Sequence, residues 1–193
     1  LLQVTDAFGS YKESDSVVLK ELVSGFSITA SLVCDAAGNT VSPSGSSAGL
    51  GNKTDLALLV ALRRQTQVIL TSGSTFRADK YRFPKHADLA VLTNGSVDIE
   101  VPAGQELLIK NSGYREALQD LKDSGYSRIH VEYGLTGIST LALARDLDAL
   151  LLSSPSSPGV KALADQMMLK PTIIELSDLC IGLVAWQPTM VRA

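Results

Sequence analysis

The chain has 193 residues, 45% apolar and 19% charged, with a formal net charge of −3 and a pI near 5.4. That length suits one domain, the composition can bury a full core and excludes a disordered chain, and the acidic balance speaks against nucleic acid, which demands a basic face. No apolar run approaches the ~20 residues of a membrane span, and no basic leader precedes an apolar stretch, so neither a membrane segment nor a secretion signal is expected.

The first 25 residues read as an extension with one short helix, Asp15 to Val23, ahead of a core over 26–193. Phe26 to Cys34 reads as a buried strand, and Asp35 to Asn52 as a long Gly/Ser/Ala/Pro loop of the kind that carries function. A helix follows from Thr54, with Leu56, Leu59, Val60 and Leu62 as its apolar face and Arg63 and Arg64 favourable at its C-terminal end. Gln67 to Thr71 is the next strand, closed by the turn Ser72-Gly73-Ser74-Thr75. Leu89 to Thr93 and Glu106 to Lys110 are strands. Tyr114 to Asp123 is an amphipathic helix stopped by Gly125. Ile129 to Glu132 is a strand running into Tyr133-Gly134-Leu135-Thr136-Gly137. A helix through Leu141 to Arg145, a strand from Ala149 to Leu152, a Ser/Pro loop from Ser153 to Gly159, a helix from Val160 to Met168 and a strand from Leu179 to Trp186 complete the chain. Alternating strands and helices imply a single α/β domain whose mainly parallel sheet is covered on both faces. Cys34 and Cys180 lie in apolar runs and read as buried hydrophobes rather than a disulfide or metal pair, which fits a reducing, cytoplasmic setting.

In open α/β sheets ligands gather at the carboxyl ends of the strands. Three such ends carry suitable residues: Ser72 to Thr75, Thr93-Asn94-Gly95, and Glu132 to Gly137, whose two glycines precede a helix and suit a phosphate. Neither a P-loop nor a dinucleotide fingerprint occurs. Gly45-Ser46-Ser47-Ala48-Gly49 has the spacing of a nucleophile elbow, but no strand precedes it and no histidine follows Tyr133 to serve as base, so a hydrolase is set aside. His86 reads as solvated and His130 as structural. Glu132 either holds a ligand hydroxyl or caps nearby amides, Asp55 reads as a first-turn helix charge and nothing more, and Arg77 and Asp79 are placed to pair with each other.

Together these residues resemble a family. Phe26 to Asp35, Gly45 to Gly51, Asp55 and Ala61-Leu62-Arg63 are similar to the opening of the pyrimidine reductases of bacterial riboflavin synthesis. Val68 to Tyr81, with Thr75-Phe76-Arg77-Ala78-Asp79, resembles their longest signature, and Val91-Leu92-Thr93, Val131 to Leu135 and Leu147 to Pro155 resemble the segments that follow. The resemblance implies a dihydrofolate-reductase-like fold, a mixed and mainly parallel sheet with helices on both faces, and usually a homodimer. It implies NADPH as cofactor and reduction of the ribose of a phosphoribosylamino-uracil. By matching positions, Asp35 and Glu132 would be catalytic. Ser72, Gly73, Thr75, Thr93, Gly134, Leu135 and Thr136 would hold NADPH, and Ser47, Asp55 and Arg77 the phosphorylated substrate. No metal is implied, and the zinc deaminase signature often fused to this reductase is absent.

The departures define a second reading. Tyr133 stands where the family has a glycine that lets backbone approach a pyrophosphate, and no basic residue follows Thr93 to select NADPH over NADH. A catalytically degenerate relative, kept as a dimeric binding or scaffold module, is the alternative. The sequence leaves open which way Tyr133 faces.

Overall fold

The protein is described by a computed structural model covering residues 3–4 and 21–186. Of the helix expected from Asp15 to Val23, residues 21–23 are helical and 15–20 lie outside the described residues.

Among the described residues nine strands form one sheet: β1 (Gln3–Val4), β2 (Ile28–Val33), β3 (Val68–Ser72), β4 (Asp88–Leu92), β5 (Leu107–Lys110), β6 (Ile129–Glu132), β7 (Ala149–Ser154), β8 (Thr172–Glu175) and β9 (Cys180–Ala185). Their order is β1-β8-β9-β7-β2-β6-β3-β4-β5. The six strands from β7 to β5 run parallel, while β9, β8 and β1 extend the sheet antiparallel beyond β7. All six parallel strands therefore end at one edge, and that edge carries the residues singled out in the sequence. The mixed, mainly parallel sheet expected from the sequence is present; β1 and β8 were not foreseen.

Beyond residues 21–23, the helices among the described residues are α1 (Lys53–Arg64), α2 (Gly73–Ala78), α3 (Tyr114–Asp123), α4 (Leu135–Ala144) and α5 (Ser157–Gln166). Strand alternation sorts them onto two faces. Ile28, Ala30, Leu32, Val68, Leu70, Ile129, Val131, Leu150 and Leu152 project to one face and pack with Leu118, Leu121, Ile138, Leu141 and Leu163 from α3, α4 and α5. The opposite face holds two separate apolar clusters. Leu151 and Ile181 meet Leu58 and Leu62 of α1, and Ile69, Leu89 and Val91 meet Phe76 of α2. Between them the central strands β2 and β6 present Thr29, Ser31, His130 and Glu132, a polar strip in the middle of a sheet.

The buried face of α1 differs from the expected one. Leu58 and Leu62 are buried, whereas Leu56 and Val60 are 59% and 39% exposed. Residues 56–62 are apolar throughout, so hydrophobic periodicity cannot fix the rotation of the helix. Asp55 and Arg63 fix it instead, since both turn inward to partners described below. Ser72 adds a helix the sequence reading took for a turn. Its hydroxyl accepts from the Thr75 amide at 3.2 Å and caps α2. Ser156 likewise caps α5, starting it within the expected Ser/Pro loop. Among the described residues no helix is long and apolar enough to cross a membrane.

Candidate functional site

The cofactor residues expected from the sequence are brought together. Register pairs Thr71 with Glu132 across β3 and β6, and Ser72 with Leu92 across β3 and β4. The turns after β6, β3 and β4 are therefore neighbours on the carboxyl edge. Ser72 bonds to the Ser74 and Thr75 hydroxyls at 2.8 and 2.9 Å, making a small hydroxyl cluster at the start of α2. Gly134 is the N-cap of α4, with no side chain capping the helix amides that follow at Leu135 and Thr136. A methyl group on Gly134 would meet nothing nearer than the Thr75 hydroxyl, at 4.0 Å. The Thr75 hydroxyl of α2 thus lies beside the open start of α4, and no other non-neighbouring atom comes within 4 Å of a methyl at Gly134.

Gly73 leaves no room for a side chain. A methyl there would fall 2.5 Å from the Thr93 hydroxyl and 3.1 Å from Nη1 of Arg77. Its missing side chain lets Thr93 and Arg77 close over the end of β3. Thr93 also accepts from the Gly95 amide at 3.0 Å, fixing the turn after β4.

Tyr133 turns away from this edge. It is 2% exposed and belongs to the core beneath α3 and α4, where its ring lies 5.0 Å from that of Tyr114. Burial raises its pKa, and its hydroxyl is buried without a hydrogen-bond partner. Gly137 makes this possible: a methyl on it would lie 2.8 Å from Tyr133 Cβ and 2.9 Å from the Tyr114 ring. That glycine belongs to core packing, not to a phosphate site.

The carboxylates assigned by resemblance sit in three unlike environments. Asp35 accepts from the Ala37 and Asn39 amides at 2.8 and 2.9 Å and from the Asn39 side chain at 2.8 Å. Led by the Asn39 side chain, these bonds lower its pKa, and the carboxylate shapes its own loop. Glu132 is buried in a fork with Arg63, whose Nε and Nη2 each donate at 2.7 Å, and it also accepts from Tyr81 at 2.7 Å. Burial alone would raise its pKa, but Arg63 overcomes it and holds Glu132 below the ordinary value. Asp55, in the first turn of α1, accepts from the Ser153 hydroxyl of β7 at 2.5 Å. Burial, only partly offset by Ser153, raises its pKa.

Of the residues given to the substrate, Ser47 donates from its amide and hydroxyl to Asp79, both at 3.0 Å. Asp79 is therefore not paired with Arg77, as the sequence suggested. His130 is fully buried between the Thr29 hydroxyl at 2.8 Å and the Ser31 hydroxyl at 3.2 Å, and burial lowers its pKa to about 4. A structural histidine was expected there, whereas Arg63 and Tyr81 as partners of Glu132 were not; no local pattern marks two residues 69 and 51 positions away. Among the described residues no group of three or more His, Cys, Asp or Glu side chains is placed to hold a metal. A further concavity of about 490 Å³ lies at the β4–β5 flank. Its Asp88 is already bonded to the Glu106 amide and the Tyr126 hydroxyl.

No protein-family model matches the chain, and no curated protein matches it in sequence. Solved structures do match in fold. A pyrimidine reductase-like protein from Corynebacterium diphtheriae superposes with a TM-score of 0.64 at 16% identity, over 86% of this chain and 98% of that one. A deaminase and 5-amino-6-(5-phosphoribosylamino)uracil reductase from Thermotoga maritima gives 0.56 at 15% identity, over 81% of this chain and 55% of that one. A riboflavin biosynthesis reductase from Saccharomyces cerevisiae gives 0.53 at 15% identity, over 81% and 89%. At these identities the likeness is one of fold, and it is the fold the sequence resemblance implied.

Proposed function

We propose that the chain is a nicotinamide-dependent reductase, using NADPH to reduce the ribose carbon of a phosphoribosylamino-pyrimidine or a related carbonyl compound. The observation that carries this reading is the open start of α4 facing the hydroxyl cluster of α2, with Tyr133 withdrawn into the core. Free helix amides favour a pyrophosphate electrostatically, and the bare Gly134 allows backbone approach. The residues present thus fit the cofactor: Ser72, Thr75, Gly134, Leu135 and Thr136 would hold its pyrophosphate, and Gly73 and Thr93 would shape the neighbouring strand end. When bound, NADPH supplies the hydride.

The protein's part is to orient the reactants and to manage a proton. Asp55 and Glu132 lie on the same face of the sheet, on either side of β2, with Ser31 between them. Of the three carboxylates, Asp55 alone is bound neither by an arginine nor by the amides of its own loop; its partner is the Ser153 hydroxyl, and burial shifts its pKa upward, so we assign it the transfer of a proton to the reduced oxygen or nitrogen. Asp35 and Glu132 then act by holding structure: Asp35 shapes the loop after β2, and Glu132 ties α1 to Tyr81. The fold shared with riboflavin reductases supports the same substrate class. A homodimer and a cytoplasmic setting, implied by the sequence resemblance, belong to this proposal. The scaffold reading rested on the cluster of substitutions in the glycine turns; of these, Tyr133 is buried in the core and leaves the approach to Gly134 open.

The test is consumption of NADPH with a phosphoribosylamino-uracil, followed by absorbance of the reduced nicotinamide. Turnover is expected, and Asp55→Asn should lower kcat about 100-fold, the lower end of the range for general acid catalysis. Unchanged kcat in that variant would remove Asp55 from the chemistry, and no turnover in the wild type would return the scaffold reading.

A further inference from the structure

Arg77 projects from the last turn of α2 back over the ends of β3 and β4. Its Nη1 lies 3.1 Å from where a methyl on Gly73 would sit and 3.9 Å from the same position on Gly95, beside the Thr93 hydroxyl. Among the described residues no carboxylate lies within ion-pair distance of it, because Asp79, the nearest acid in sequence, is engaged by Ser47. The turn it overhangs, Thr93-Asn94-Gly95-Ser96, contains no acid. An acid in that region would accept from a ribose 2′-hydroxyl and repel a phosphate, whereas a guanidinium pairs with phosphate in a planar fork.

The direction of a bound dinucleotide follows from the sheet order. Asp55, on α1, is bonded to Ser153 near the end of β7, and Arg77, on α2, overhangs the end of β4, four inter-strand steps away. At about 4.8 Å each, these span roughly 19 Å, a distance an extended dinucleotide bridges. In the reductase reading the nicotinamide lies toward Asp55, which leaves the adenosine ribose toward Arg77.

We infer that Arg77 binds the 2′-phosphate of the adenosine ribose, making this chain selective for NADPH over NADH, rather than holding the substrate's phosphate. This rests on the reductase reading for the direction of the cofactor, but the phosphate site can be tested apart from it. It also supplies the cation that the residues following Thr93 lack: it arrives from the preceding helix.

Calorimetric titration of the wild type and Arg77→Ala with NADPH, NADH, adenosine 2′,5′-bisphosphate and 5′-AMP decides the matter. Arg77 is exposed, so the variant should keep the wild-type melting temperature. The wild type should bind NADPH about tenfold or more tightly than NADH, and the bisphosphate more tightly than AMP by a similar factor. The variant should lose both preferences by weakening only the two 2′-phosphorylated ligands. A preference that survives in the variant, equal weakening of all four ligands, or no preference in the wild type would overturn the assignment. Arg77-dependent binding of the bisphosphate without binding of either dinucleotide would uphold the phosphate site while sinking the reductase reading. Binding of none of the four would overturn both.

Discussion

Arg63 and Glu132 meet through a planar fork, two donated hydrogen bonds of 2.7 Å each, and the Tyr81 hydroxyl closes the open side at 2.9 Å from Arg63 and 2.7 Å from Glu132. The Arg63 guanidinium carbon also stands 5.0 Å from the centre of the Tyr81 ring. These three residues come from α1, β6 and the segment after α2, so the triad binds together elements that the two apolar clusters of that face leave apart. Removing one member of a buried pair strands the other charge, which costs about 3–5 kcal/mol. Because the Arg63 side chain is 30% exposed, the lower end applies. Arg63→Ala should lose about 3 kcal/mol in urea unfolding, and Tyr81→Phe about 1 kcal/mol. A loss below about 1 kcal/mol for Arg63→Ala would show the triad to be incidental.

His130 predicts a pH profile. Buried between Thr29 and Ser31, and flanked by Glu132 and Arg63, it stays neutral in the folded protein down to about pH 4, against an ordinary value of 6.5. Below pH 6.5 the unfolded chain takes up this proton and the folded chain does not, so stability falls with falling pH. The expected loss between pH 7 and pH 5 is about 2 kcal/mol. Glu132 adds its own loss only further down, because its depressed pKa makes its contribution fade below about 4.5. Urea unfolding at the two pH values checks this. His130→Asn should flatten the profile over that range, and a wild type equally stable at pH 7 and pH 5 would contradict the assignment.

The buried hydroxyl of Tyr133 makes no hydrogen bond, so Tyr133→Phe should match the wild type or exceed it by up to about 1 kcal/mol. Gly137→Ala tests the same packing with the opposite sign. Alanine favours a helix over glycine by about 1 kcal/mol, but its methyl would press on Tyr133 Cβ, which the backbone anchors. Overpacking of this kind costs about 1–3 kcal/mol, so thermal unfolding should show a net loss. A stabilised Gly137→Ala would mean the ring under α4 has room to move.

Much of the fold is legible in the sequence because its strands are short apolar runs bounded by Gly, Ser and Asn. The residues expected to hold the cofactor stand out for the same reason: they close those runs at one edge of a parallel sheet. What the sequence withheld is long-range or rotational. The apolar stretch 56–62 could not reveal that Leu58 and Leu62, not Leu56 and Val60, face the core. Nothing near Glu132 signals Arg63 or Tyr81, and nothing near Asp79 signals Ser47. The direction of Tyr133 depends on Gly137 four residues later, where a missing side chain on the next helical turn admits the ring.

NADPH affinity in the wild type and in Gly134→Leu tests most directly whether the start of α4 receives a dinucleotide. Position 134 has ordinary backbone angles and open space around it, so the leucine should leave the melting temperature nearly unchanged. NADPH should bind the wild type at micromolar concentration and Gly134→Leu at least about tenfold more weakly, because the side chain fills the approach to the helix amides. Equal NADPH affinity in the two proteins, or no binding by the wild type at millimolar concentration, would contradict it.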